Sequence, residues 1–236
     1  MRRIAFLDRL LDLLFPRACN ICGSRLTVTE QVICGPCNMH MPRTHYERSF
    51  EDNDLVRLFW AIIPIERGVA WFYYKSHAPA VRPIYRLKYG NRPHIGLQLG
   101  EMYAHEIQDS GFFDGIDIIL PVPLTRKRER QRGYNQTMMI ARGVSYATGL
   151  PIATKALTRS RFKESQTHKN MWERRDNVES VFKLKDADSI RGKHVLIVDD
   201  VVTTGATLTA CAKELLKAGD VRISILALGH ANPRAL

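Results

Sequence analysis

The sequence predicts an α/β protein, a parallel sheet flanked by helices, preceded by a small four-cysteine module. Three observations lead there. Residues 116–120, 195–198 and 221–228 are rich in aliphatic side chains, as strands covered on both faces require. Helical segments separate these runs, and strands alternating with helices build βαβ units around a parallel sheet. Two Cys-x-x-Cys pairs lie ahead of the alternating region.

The 236 residues fit one sizeable domain with an appendage, and 45% apolar content supports a real core. At the start, Ile4, Leu7, Leu11 and Leu14 share a helical face, which reads residues 1–17 as an amphipathic docking helix stopped by Pro16. Asp8, Arg9 and Asp12 interrupt the apolar character, and no small-residue cleavage site follows, so a signal peptide is not expected. No run of about 18 uncharged apolar residues exists. A cytoplasmic location is the expectation.

Residues 18–50 form the cysteine module. Cys19 and Cys22, then Cys34 and Cys37, place two thiolates on each of two tight turns, the donor set of a structural zinc ion. Disulfides or a redox Cys-x-x-Cys are the alternatives, and a reducing compartment weakens the first. His40 and His45 lie close enough to replace a cysteine ligand. Cys211, alone in a helical stretch, reads as a small buried apolar residue. Residues 51–68 form a connection with room for one helix. The larger domain spans 69–230. It opens with a strand over residues 69–74, whose aromatics belong to the core or, alternatively, to a platform for stacking bases. Helices are expected over 80–89 and 95–107, broken at Gly90 and Pro93. The 116–120 strand runs into Pro121 and Pro123, and a helix follows from Gly133 to about Thr148.

Residues 195–207 organise the rest. A buried strand ends in Asp199 and Asp200, a hydroxyl-rich turn with Gly205 follows, and a helix continues from about Leu208 to Ala218. The turn and helix N-terminus form an anion site, since unpaired amides and the helix dipole converge there. Carboxylates beside that cradle would repel a bare phosphate but suit sugar hydroxyls or metal ions, so the stretch suggests a phosphorylated ribose. The net charge of +11 is concentrated in two places. Arg126, Lys127, Arg128, Arg130 and Arg132 surround only Glu129, and residues 155–175 carry seven basic side chains against Glu164 and Glu173. Such concentration predicts a polyanionic ligand, either a pyrophosphate or a nucleic acid backbone.

The 195–207 stretch resembles the signature by which type I phosphoribosyltransferases bind phosphoribosyl pyrophosphate (PRPP). The order of the other motifs narrows the match: the four cysteines, then Arg86-Leu87-Lys88-Tyr89-Gly90, Pro121-Val122-Pro123-Leu124, and Arg128 with Arg132-Gly133-Tyr134-Asn135-Gln136. Arg159, Arg161, Gln166, Arg174 and Asn177 follow. Nearly the whole chain resembles the ComF, or GntX-like, family of competence-associated, phosphoribosyltransferase-like proteins. It departs from the pattern at Gly219-Asp220, far from the signature loop. The resemblance implies a phosphoribosyltransferase-like sheet with a zinc-ribbon-like module. It implies that the amides of Thr203, Thr204, Gly205, Ala206 and Thr207 hold the 5′-phosphate, and that Asp199 and Asp200, the candidate catalytic pair, contact the ribose hydroxyls. Arg126, Arg128 and Arg132 would face the pyrophosphate together with Mg²⁺. Arg161, Gln166 and Arg174 would lie on a mobile loop closing over PRPP. Base recognition would fall to a hood built from residues 50–110.

Two functions follow from the resemblance. One is transfer of a phosphoribosyl group to an unidentified acceptor, linked to DNA uptake and utilisation. The other is a non-catalytic PRPP-binding or single-stranded-DNA-handling factor of the competence machinery, whose partners would be DNA and DNA-processing proteins.

Overall fold

The structure, a computed structural model, describes residues 16–159 and 181–231. The expected helix over 1–17 therefore lies almost wholly outside the described residues, as do Arg161, Gln166 and Arg174.

The main sheet has four strands, all parallel to their neighbours: β1 (Arg67–Tyr73), β2 (Ile118–Pro121), β5 (His194–Val202) and β6 (Arg222–His230), in the order β1-β6-β5-β2. A separate antiparallel pair joins β3 (Leu157–Arg159) to β4 (Phe182–Leu184). The helices are α1 (Gly35–Met39), α2 (Asp54–Arg57), α3 (Arg82–Tyr89), α4 (Pro93–Ile107), α5 (Arg126–Arg132), α6 (Gln136–Thr148) and α7 (Ala206–Leu215). In β5 every residue except Val201 is buried, which is why its aliphatics run on without alternation.

Three element boundaries differ from the sequence expectation. The strand expected to stop at Val198 continues to Val202, because β6 reaches His230 and supplies further ladder partners, Asp199 opposite Ala227, Val201 opposite Gly229 and Val202 opposite His230. The two carboxylates thus sit within the strand rather than beyond it. The basic stretch after Pro123 is the helix α5, with the Thr125 hydroxyl accepting from the Arg128 amide at 3.4 Å. Gly133 ends that helix in the left-handed conformation at φ 78°, and Asn135 caps α6 separately.

The cysteine module docks through polar anchors on α3 and β1. Arg82 Nη1 donates to the Ile21 carbonyl at 2.6 Å and Arg86 Nη1 to Asn20 Oδ1 at 2.9 Å. Arg43 forks onto Glu106 at 2.7 and 2.8 Å, while Glu106 also accepts from the Trp71 indole at 3.0 Å. Residues 42–44 run along the outer side of β1, where Tyr73 N–H donates to the Pro42 carbonyl at 2.8 Å and Thr44 N–H to the Trp71 carbonyl at 3.2 Å.

α4 and α6 cross closely because each offers a glycine at the contact. A Cβ on Gly143 would fall 2.0 Å from the Leu97 carbonyl oxygen, and one on Gly100 would fall 2.2 Å from that of Ile140. Both obstacles are backbone, so the helices themselves would have to part. Gly143→Ala should therefore cost about 1–3 kcal/mol of stability through overpacking, read as a lower denaturation midpoint. A midpoint unchanged from wild type would contradict this crossing.

Candidate functional site

The exits of β2 and β5 lie at the same edge of the sheet, where open parallel sheets bind their ligands. A cleft of about 840 Å³ opens there. Asp199 and Asp200 form its floor, Thr207 at the start of α7 closes one end, and Arg128, Arg132 and Arg159 face them. The site is built from β5, the turn into α7, the face of α5, the end of α3 and the end of β3.

The carboxylate pair is held from both sides. Asp200 Oδ1 forms an ion pair with Lys88 Nζ at 2.7 Å, and Asp199 Oδ1 accepts from the Asp200 amide at 2.8 Å. Burial, and after it the neighbouring Asp200 carboxylate, raise the Asp199 carboxyl to about 7. The other Asp200 oxygen, Oδ2, is buried and has no hydrogen-bond partner among the described residues. A buried acceptor left open at the floor of a cleft calls for a donor or cation from a ligand.

The turn after β5 leaves Thr203, Thr204 and Ala206 exposed, whereas Gly205 is buried. Gly205 caps α7 at φ 74°, and a Cβ there would lie 2.8 Å from the Phe59 ring. Glycine is required twice over, for the left-handed backbone and for the close ring. The turn is thereby fixed at the start of α7, whose first-turn amides lack intrahelical partners, the Ala206 amide reaching only the Thr204 hydroxyl at 3.5 Å.

The other wall depends on the Gly-Tyr-Asn-Gln run. Tyr134 donates its hydroxyl to the Leu87 carbonyl on α3. Asn135 Nδ2 and the Thr137 hydroxyl both donate to the Val122 carbonyl, at 3.1 and 2.6 Å. Arg132 donates to Gln136 at 2.5 Å, and its guanidinium lies 5.4 Å from the centre of the Tyr89 ring. This run clamps α3, the β2 exit and α6 together, and so sets where the α5 arginines point. Arg159 is half-buried, and that burial, with Arg128 nearby, lowers its pKa. Cations are crowded in this wall.

Of the residues expected at the site, Asp199, Asp200, Thr207, Arg128 and Arg132 line the cleft, and Thr203, Thr204, Gly205 and Ala206 form the turn leading to it. Arg126 does not: one helical face away, it lines a neighbouring cleft. Lys88, within the Arg-Leu-Lys-Tyr-Gly run, has no role that the sequence alone assigns. Its pairing with Asp200 spans 112 residues of sequence and leaves no local pattern.

At the other end of α3, the four cysteine sulfurs all lie within 4.8 Å of one another. The Ile21 and Cys34 amides donate to Cys19 Sγ at 3.4 and 3.3 Å. None of the five cysteines is in a disulfide. The cluster can hold a metal ion, and His40 and His45 are not part of it.

The fold behind the four-cysteine cluster is phosphoribosyltransferase-like, and residues 130–235 match the family described as phosphoribosyl transferase domain. The relatives are more specific. The chain is 28% identical over 214 residues to DNA utilization protein YhgH of Shigella flexneri, covering 89% of this chain and 88% of that one. It is 29% identical over 152 residues to competence protein F of Haemophilus influenzae (63% and 66% covered). It is 32% identical over 102 residues to competence protein ComFC of Bacillus subtilis (43% and 39% covered). The chain is thus similar, over most of its length, to the YhgH proteins and, over shorter stretches, to the competence F and ComFC proteins.

The raised Asp199 carboxyl sets a pH dependence. The folded state holds that proton more tightly than the unfolded chain, so its contribution is fully present below about pH 4 and is lost as pH rises towards 7. Asp199→Asn should remove this decline and be the more stable protein above pH 7, by at most about 4 kcal/mol. Urea midpoints of both proteins between pH 4.5 and 8 test it, and parallel profiles would refute it.

Proposed function

We propose that this cleft binds PRPP with Mg²⁺ and transfers the phosphoribosyl group to an acceptor, in the service of DNA uptake or utilisation. One arrangement carries the reading: a buried carboxylate pair beside a phosphate-cradling helix N-terminus, faced by three arginines. The turn of residues 203–207 receives the 5′-phosphate, with amide donors and the hydroxyls of Thr203, Thr204 and Thr207. Asp199 and Asp200 accept from the ribose 2′- and 3′-hydroxyls. The open Asp200 Oδ2 supports that role, and a carboxylate oxygen there would also suit a divalent cation. Bound magnesium supplies charge neutralisation for the leaving pyrophosphate. Arg128 and Arg132 supply the rest of that countercharge from this chain, since a departing pyrophosphate gains charge as the C1–O bond of the ribose lengthens.

The DNA connection rests on the relatives, whose names place them in DNA utilization and competence. A second reading keeps PRPP binding without turnover, the protein handling single-stranded DNA alongside partner proteins of the same machinery. It is favoured by Arg126, Arg130, Arg142, Lys183 and Lys185, which line a second cleft beside the carboxylate cleft.

The four cysteines suit zinc. The Cys22–Cys34 sulfur separation is 3.7 Å, near the roughly 3.8 Å edge of a tetrahedron with Zn–S of about 2.3 Å. Four sulfur ligands close the shell, so the ion would hold the fold of the module rather than activate water.

Calorimetry should show PRPP binding in the presence of Mg²⁺, weakened about 10- to 100-fold in Asp200→Asn. Absence of binding in the wild type would overturn the reading. Pyrophosphate release with bases, nucleosides and single-stranded DNA as acceptors then separates turnover from mere retention. Metal analysis should find one zinc per chain, lost when Cys34 and Cys37 are changed to Ser. A stably folded, metal-free wild type would refute the metal site.

A further inference from the structure

The helix α5 has two basic faces, and only one of them looks into the PRPP cleft. Arg128 and Arg132 are four residues apart and share the face toward Asp199. Arg126 and Arg130, also four apart, lie on the opposite face and line a second cleft of about 970 Å³. Arg142 on α6 and Lys183 and Lys185 at β4 complete that cleft, with Glu129 its only carboxylate. Among the described residues these five basic side chains form no ion pair. All five are exposed, and their clustering around one carboxylate makes a positive field that attracts a polyanion. The floor is apolar, with Met138, Met139, Leu157 and the ring of Tyr134.

We propose that this second cleft is a binding site for the sugar–phosphate backbone of single-stranded nucleic acid. A basic rim over an apolar, partly aromatic floor is what an unpaired strand uses, with phosphates on the cations and bases against the floor. A duplex offers its phosphates but keeps its base faces stacked inside, so it cannot use that floor. Arg159, Leu124 and Gly133 line both clefts, so a strand held in the second would reach the edge of the first. This deepens the DNA-handling reading above and rests on it, adding the place and the chemistry by which the strand is held.

The test is a double dissociation on the full chain. Fluorescence anisotropy measures a labelled 20-nucleotide oligo-dT and the corresponding duplex, while calorimetry follows PRPP with Mg²⁺. Arg126→Ala/Arg130→Ala should weaken the single strand at least 10-fold and reduce its log–log salt slope by about 1.4, leaving PRPP affinity within twofold. Arg128→Ala/Arg132→Ala should do the reverse, weakening PRPP more than the oligonucleotide. Lys183→Ala/Lys185→Ala, on a different element, should repeat the first result if it comes from the cleft rather than from damage to α5. If the wild type binds the oligonucleotide and neither second-cleft variant weakens it, the placement is wrong. If the duplex binds as tightly as the single strand, the role of the floor is wrong. If the wild type binds no oligonucleotide, the DNA-handling reading falls as well.

Discussion

Two carboxylates are buried side by side at the end of β5, and much of the architecture answers to that constraint. Like charges at this distance in a poorly hydrated site cannot both remain ionised without help. One solution is visible in the raised Asp199 carboxyl, the other in Lys88, which comes from α3 to meet Asp200. Lys88 can serve only if α3 stays in place. Tyr134 holds the helix at the Leu87 carbonyl, and the cysteine module holds it through Arg82 and Arg86. The module, the Gly-Tyr-Asn-Gln run and the carboxylate pair are thus consecutive links in one chain of contacts.

That chain explains what the sequence could and could not tell. The strand-turn-helix unit of residues 195–207 was legible because aliphatic run, acidic pair and Gly/Thr turn are contiguous. The four cysteines were legible because knuckle spacing is a local property. The β5 boundary at Val202 was not, since its last residues are strand only because β6 continues opposite them. The role of Lys88 was hidden for the same reason: its partner is set by the fold. Helical periodicity separates Arg126 and Arg130 from Arg128 and Arg132, a division that a run of charge does not display.

The anion-binding turn shows how local chemistry and distant packing combine. Gly205 alone would permit the left-handed backbone, but Phe59, from a segment far earlier in the chain, fills the space where any side chain would go. Permission becomes requirement. The segment before β1, which reads as a mere connection, therefore contributes to the shape of the phosphate cradle.

Residues 42–44 run beside β1, bridged to it at Arg43 and Phe72, and cover part of its outer edge. A parallel sheet of four strands has two edges, each a row of unpaired amides and carbonyls that invites another chain to add to it. One edge is taken by the cysteine module. At the other, Ile119 N–H donates to the Pro151 carbonyl and accepts, through its own carbonyl, from Ala153 N–H, each at 2.8 Å. Covered in part at both margins, the sheet offers less free edge for strand exchange or β-augmentation.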